Sequence, residues 1–425
     1  MKADVLLGLQ WGDEGKGKAV DVLAPEYTWI ARFQGGPNAG HTLWLDGQKV
    51  VLHTIPSGVF RKDCQNLIGN GVVLHPPSLL AEIRALQEKG MDLGQRLLIS
   101  DKAHLITPGH RLMDQAQEAA KGDQKIGSTL RGIGPAYTDK YARHGLRYGD
   151  LAGPDAMTHL QNSMNTHRQG LQALGYPEPD DLDAQMEAWM ESLQTLLQEF
   201  PPVDGSWLLN QALDQGQKVL AEGAQGSMLD VEYGAYPFVT SSHTTAAAAC
   251  TGLGLAPSRI GDVYGLFKAY CTRVGSGPFP TELHDEQGET LRRAGHEFGA
   301  TTGRPRRCGW LDLPALHYAA RLSGVNKLIV TKADVLSDFG EVKVAVRYEG
   351  THSHRDSYPT HQEACIPVYR TFEGWSLTPG KNYQRLEELP MALRAYLNFL
   401  EESLDCPVHW VSLGPERQST LQTRP

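Results

Sequence analysis

Near the start of the chain, the glycine-rich segment Gly12-Asp-Glu-Gly-Lys-Gly-Lys18 follows directly on the apolar run Val5–Leu9. It meets the G-x-x-x-x-G-K half of a phosphate-binding loop, in which glycines let backbone N–H groups crowd around phosphate oxygens. A helix N-terminus would add its positive end. Lys16 and Lys18 bring charge to the same place. The hydroxyl that should follow and hold magnesium is missing, because Ala19 stands there. Asp13, inside the loop, is the candidate to hold the ion instead.

Further along lie other polar, glycine-framed segments. Gln34–Thr42 contains Asn38, able to read a base edge, and His41. A lone histidine is more often structural, but a carboxylate and an imidazole around one phosphate site make a base and acid pair. Ile126–Tyr137, with Thr129 and Arg131, and Arg143 beyond it, offers hydroxyl, N–H and guanidinium groups to a second phosphate. Glu222–Gly226, with Gln225, and the downstream Thr240 suit a sugar or base, or form only a turn. Gly299–Arg307 carries Thr301, Thr302, Arg304 and Arg306, an anion clamp framed by glycines that is expected to close on its ligand. A solvated basic face is the plainer alternative. Thr331-Lys332-Ala333-Asp334 matches the T/N-K-x-D pattern that reads guanine, with the aspartate accepting from N1–H and the exocyclic amine. Ser412–Gly414 is placed to complete that pocket.

The elements that position these loops are short apolar runs: Asp4–Leu9, Trp29–Phe33, Arg96–Ser100, Gln217–Glu222, Asn326–Thr331 and His409–Leu413. Near-continuous apolar strands separated by helical stretches predict a large, mostly parallel α/β sheet with helices on both faces. Ligands then bind at the carboxyl ends of the strands, where five of the glycine-rich segments fall. The spacing of Met186, Trp189, Met190, Leu193, Leu196, Leu197 and Phe200 predicts an amphipathic helix packed on the core, within a helical excursion over about 155–200. The stretch 337–380 is expected to form a small surface region of strands and loops. With no repeat or linker, one domain over 1–425 is expected.

Composition narrows the function. The chain has 425 residues, 40% hydrophobic and 21% charged, ordinary for a globular protein. A net charge of -9 argues against a nucleic-acid grip, although a local basic group can still hold a small anion. The six cysteines form no CxxC pair, so neither a zinc site nor a disulfide framework is signalled. No stretch approaches a membrane span and no secretory signal is evident, so a cytoplasmic location is expected.

In order and across the whole chain, these segments resemble the adenylosuccinate synthetase family. The phrases that carry the likeness are QWGDEGKGK, GGPNAGHT, IGPAY, EGAQG, TRVGSGPFPTEL, TTGRPRRCGWLD, TKADVL and a final GPER. The resemblance implies a GTP-dependent ligase that joins IMP and L-aspartate through a 6-phosphoryl intermediate, the first committed step from IMP to AMP. It implies that Asp13 is the base and His41 the acid, with one magnesium ion on Asp13 and the Gly40 carbonyl. GTP contacts are implied for Gly12, Asp13, Glu14, Gly15, Lys16, Gly17, Lys18, Gly40, His41, Thr42, Arg306, Lys332, Ala333, Asp334, Ser412, Leu413 and Gly414. IMP contacts are implied for Asp13, Lys16, Asn38, Ala39, Gly40, His41, Thr129, Arg143, Gln225, Thr240 and Arg304. Aspartate contacts are implied for Ala300, Thr301, Thr302, Gly303, Arg304 and Arg306. Arg143 matches an arginine that reaches the partner subunit's IMP, which implies a homodimer. Departures are small: Ser128, Leu130, Ala333 and Leu413 stand where many relatives carry threonine, glycine, leucine and threonine.

Two rivals have distinct signatures. A related phage branch acts on dGMP and has a smaller residue in place of the loop aspartate, so Asp13 favours IMP. A regulatory GTPase would use Lys18 and Asp334 but leave His41, Thr129 and the arginine segment idle.

Overall fold

A computed structural model describes residues 1–45, 48–299, 303 and 305–424. One ten-stranded sheet runs in the order Thr420–Gln422, Val408–Ser412, Lys327–Thr331, Ile260–Lys268, Ala3–Gly8, Val219–Glu222, Trp29–Arg32, Gln65–Ile68, Leu97–Ser100, Pro202–Val203. Every neighbouring pair is parallel except the edge pair Val408–Ser412 with Thr420–Gln422. The six expected strands are all present. Gln65–Ile68, Ile260–Lys268 and the two short edge strands join them.

The strands are apolar throughout because both faces are covered. Leu6 packs with Val20, Leu23, Ile30 and Ile329 on one side. Its neighbour Leu7 belongs to the larger cluster on the other, with Phe267, Leu313, Leu316 and Tyr396. That split follows from the period of two along a strand.

A second core lies beyond one end of the sheet, where helices Pro76–Gln87, Pro108–Ala120, Ala156–Ala173 and Leu182–Glu199 pack together. The predicted stripe is its spine. Trp189, Leu193, Leu196 and Phe200 are buried, with Met186, Met190 and Leu197 packed against them. Trp189 is wholly buried and donates its Nε1–H to the Ile106 carbonyl at 2.8 Å. In the stretch 337–380, Glu341–Tyr348 pairs antiparallel with Pro367–Glu373. Val342, Val344, Phe372 and Trp375 from this region join the main core.

Helix Ile133–Ala142 is pinned at its carboxyl end, where Arg143 turns out of it at φ 67°. Asp139 Oδ2 lies 3.1 Å from His110 Nε2 and 3.0 Å from His167 Nε2. Burial opposes ionisation of Asp139, but the two imidazole bonds outweigh it and hold the carboxyl well below its usual range. Among the described residues no helix is long and apolar enough to cross a membrane.

Trp189 separates volume from hydrogen bonding in this core. Trp189→Ala is expected to lower stability by about 3–5 kcal/mol. Trp189→Phe, which loses mainly the bond to Ile106, should cost roughly 1 kcal/mol. Urea midpoints followed by circular dichroism measure both, and equal losses would contradict the packing described.

Candidate functional site

The loop after Ala3–Gly8 is folded around its own acid. Gly12, Asp13 and Gly15 take left-handed φ of 88°, 59° and 93°, and helix Lys16–Leu23 starts directly behind them. The Glu14 carboxylate is fully buried and accepts from Gln10 N–H at 3.2 Å, Gly12 N–H at 2.9 Å and Lys16 Nζ at 2.5 Å. Glu14 therefore holds the loop's shape with its side chain turned inward. Gly226, from the Glu222–Gly226 segment, packs so closely that an added Cβ would lie 2.3 Å from the Gln10 carbonyl and 2.4 Å from Glu14 Oε1. That close approach requires glycine.

His41 reaches this loop from the next strand end, where a Cβ on Gly17 would lie 2.9 Å from His41 Cβ. Its Nδ1 is 2.6 Å from Glu222 Oε1. Glu222 also accepts from Ser57 N–H at 2.8 Å and Ser57 Oγ–H at 2.6 Å. Burial, with help from Arg32 and Lys16 and against the pull of Glu222, pushes the His41 imidazole down to about 4. Among the described residues, His41 Nε2, Asn38 Oδ1 and both amide atoms of Gln225 are buried with no protein partner. Buried polar atoms are normally paired, so bare ones on the two glycine-rich segments that meet the loop are candidates for a ligand's contacts.

The segments expected to form the base pocket lie side by side. Ala333 N–H donates to the Ser412 carbonyl at 3.3 Å, and Thr331 Oγ1 donates to the Glu14 carbonyl at 2.7 Å. Lys18 is turned toward this side, with Nζ 2.7 Å from Ser412 Oγ and 2.6 Å from the Gly414 carbonyl. Burial pushes its ammonium down to about 8 despite Asp334, Glu416 and Asp21. Burial likewise raises the Asp334 carboxyl, opposed by Lys332 and Lys18.

An ion chain runs from the loop to Lys332. Arg306 Nε is 2.7 Å from Asp13 Oδ2, and its Nη1 is 2.6 Å from Glu297 Oε2. Glu297 is fully buried. Its other oxygen faces Lys268 Nζ at 3.2 Å, Tyr270 Oη at 2.5 Å and Lys332 Nζ at 3.7 Å. Burial would raise this carboxyl, but Lys268, Lys332 and Arg306 together hold it well below the carboxylate range. Glu297 and Lys268 escape a reading of the sequence, because a buried charge leaves no periodic signal.

The remaining candidates lie on other segments. Thr129 is exposed on a segment pinned from helix Pro108–Ala120, where Ser128 Oγ donates to Asp114 at 2.6 Å and Gly127 N–H to Glu118 at 2.6 Å. Leu130 stands at φ 56°, a conformation that glycine would adopt more easily. Thr240 is half-buried, its N–H on the Leu229 carbonyl at 2.8 Å. Arg143 is exposed at its helix end. Ala300, Thr301, Thr302 and Arg304 lie outside the described residues; Gly303, between them, has φ 64°.

Asp13 and the Gly40 carbonyl are hard oxygen donors of the kind magnesium takes, and the Asp13 side chain is 32% exposed. Among the described residues, one other cluster could hold a metal: His110, Asp139 and His167. There Thr107 N–H donates to His110 Nδ1 at 2.9 Å, so the proton sits on Nε2 and His110 turns no lone pair toward the cluster. That cluster is structural.

The model for the family described as adenylosuccinate synthetase matches residues 5–421. The chain is 53% identical to the adenylosuccinate synthetase of Cytophaga hutchinsonii over 429 residues, covering 99% of this chain and 98% of that one. It is 53% identical to the Bacteroides fragilis protein of the same name, with 99% of each covered. The fully ligated adenylosuccinate synthetase of Plasmodium falciparum superposes with a TM-score of 0.92 at 36% identity, each chain covered in full. A succinoaminodeoxyadenylate synthetase from cyanophage S-2L shares the fold, with a TM-score of 0.65 at 21% identity over 100% of this chain and 96% of that one.

The ion chain makes its own prediction. Glu297→Gln keeps the shape but leaves Lys268, Arg306 and Lys332 short of a counter-charge, and should cost about 3–5 kcal/mol in urea unfolding. A loss below about 1 kcal/mol would show that the carboxylate does not hold these three cations together.

Proposed function

The chain belongs to the adenylosuccinate synthetase family, a GTP-dependent ligase joining IMP and L-aspartate on the way to AMP, and we propose that the sheet-edge site carries this reaction through Asp13 and His41. The observation that carries the assignment is the convergence of Asp13, His41 and the Lys332–Asp334 motif on one glycine-rich loop.

Asp13 takes the N1 proton of IMP, and the electron pair moves to O6. O6 attacks the γ-phosphorus of GTP, and the bond to the bridging oxygen breaks as GDP leaves. His41, with Nε2 facing the site, stabilises the charge that moves between these oxygens. The aspartate amine then bonds to C6, the C6–O6 bond breaks, and one amine proton leaves with phosphate. Little covalent chemistry falls to the protein, so positioning and charge neutralisation dominate.

Asn38 Oδ1 and both amide atoms of Gln225, buried without partners among the described residues, supply contacts for the IMP base and sugar. Thr129, Thr240 and Arg304 complete that subsite. Asp334, with Lys332 and Ser412–Gly414, selects guanine. The contacts of Lys18 with Ser412 and Gly414 tie the phosphate loop to this base pocket. Arg306 and the segment from Ala300 to Arg304 take the carboxylates of aspartate. Until they arrive, Arg306 meets the charge of Asp13. Magnesium, when held by Asp13 and the Gly40 carbonyl, neutralises phosphate charge. A homodimer in the cytoplasm, with Arg143 reaching the partner subunit's IMP, is part of the proposal. The exposure of Arg143, and of Tyr141 at 70%, supports it.

Phosphate release from GTP tests the assignment. Wild-type protein is expected to release phosphate only with both IMP and aspartate, and release indifferent to them would overturn the ligase assignment. Asp13→Ala should lose at least about 10³-fold in adenylosuccinate formation, followed by absorbance, with its circular dichroism unchanged. Turnover near wild type would remove Asp13 as the base.

A further inference from the structure

Glu222 ends the strand Val219–Glu222, and its backbone register sets it beside Arg32 at the end of the adjacent parallel strand. Both side chains are fully buried. An acid in such a place needs both its oxygens met by donors. Here they are met from two separate segments: Nδ1 of His41 at 2.6 Å, and the N–H and hydroxyl of Ser57 at 2.8 and 2.6 Å. Ser57 opens the short helical turn Ser57–Phe60, beyond the hairpin that His41 begins. Both ends of the hairpin segment are thereby fastened to one carboxylate.

The bonds also determine which nitrogen carries the proton. The Ser57 N–H can only donate, so Glu222 accepts there, and the carboxylate stays ionised in spite of its burial. Facing an ionised carboxylate, His41 Nδ1 must be the protonated nitrogen. Nε2 is then turned the other way, buried and, among the described residues, without a protein partner. The other charged groups around the pair are Arg32, beside Glu222 with Glu82 in its field, and Lys16, which is held by Glu14.

We propose that Glu222 is the positioning residue for His41, fixing the ring's orientation through Nδ1–H and, with its charge, stabilising the imidazolium whose Nε2–H meets the transferring phosphoryl group, with Ser57 holding the carboxylate in turn. The inference rests on the proposed role of His41 and adds Glu222 and Ser57 to the machinery. Gln225 lies three residues beyond Glu222 on the same turn, so one strand end both orients the acid and presents a ligand amide.

Glu222→Gln keeps the shape but removes the charge that supports the imidazolium and offers an amide N–H₂ to Nδ1, so Nδ1 loses its proton and the ring stays neutral. Its kcat is expected to fall on the order of 10²–10⁴-fold, the scale seen when the acid orienting a catalytic histidine becomes an amide. KM for IMP and GTP should stay within about threefold, because apart from His41 the groups that bind them are untouched. Glu222→Asp, which keeps the charge, should recover at least about tenfold, and Ser57→Ala should lose about three- to tenfold. Histidine ¹⁵N resonances should show His41 Nδ1 protonated in the wild type and unprotonated in Glu222→Gln. A kcat for Glu222→Gln within about threefold of wild type would overturn the proposal, as would matched changes in kcat and KM with unaltered ring nitrogens. His41→Asn, measured alongside, separates the two claims. Full activity there removes the role of His41 itself, whereas lost activity there with an active Glu222→Gln removes only the role of Glu222.

Discussion

A carboxylate taken out of water costs several kcal/mol unless donors or cations meet it. Three of them, Glu14, Glu222 and Glu297, are buried completely at the edge of the sheet where its parallel strands end. Each is satisfied by a residue of the site. Glu14 holds Lys16 and the turn that shapes the phosphate loop, Glu222 holds His41, and Glu297 holds Arg306 and Lys332. The unfavourable burial of charge is offset only when these groups stand in one arrangement, so the same contacts that solvate the acids orient the chemistry.

A phosphoryl transfer asks for this kind of constraint. The reacting oxygens need donors and cations already in place, because reorienting them during the step would raise the barrier. Ordinary phosphate loops hold their magnesium through a hydroxyl after the lysine. In this chain that position is Ala19, and Asp13 stands inside the loop at φ 59° with Arg306 against it. The loop thereby carries a carboxylate of its own, which the proposed proton abstraction requires and a loop serving only nucleotide binding would not need.

Much of this was legible in the sequence. The strands before the glycine-rich loops are apolar because two helical layers cover them, and that pattern needs no partner information. Gln65–Ile68 escaped because half its residues are polar, with Asn66 buried on a bond to the Cys64 carbonyl. Ile260–Lys268 escaped because Gly261, Asp262 and Gly265 break its apolar run. Pro202–Val203 and Thr420–Gln422 are edge strands too short to carry a period. Among functional groups, Asp13, His41 and Asp334 were visible because glycines or a motif surround them. Glu297, Lys268, Arg32 and Ser57 were not, since what makes each of them matter is a partner far away in the chain. Glu222 sat in a visible motif, but its task of holding His41 appears only once the strand ends are side by side.

The central claim is that the loop drives phosphate onto a purine oxygen rather than onto water. GTP labelled with ¹⁸O in its β–γ bridge tests this directly, in the presence of IMP and magnesium but without aspartate. Reversible transfer to O6 frees the β-phosphate to rotate, so the label is expected to scramble into non-bridging β positions, and only when IMP is present. No scrambling with IMP, or release of free phosphate from GTP at the same rate with and without it, would contradict the account.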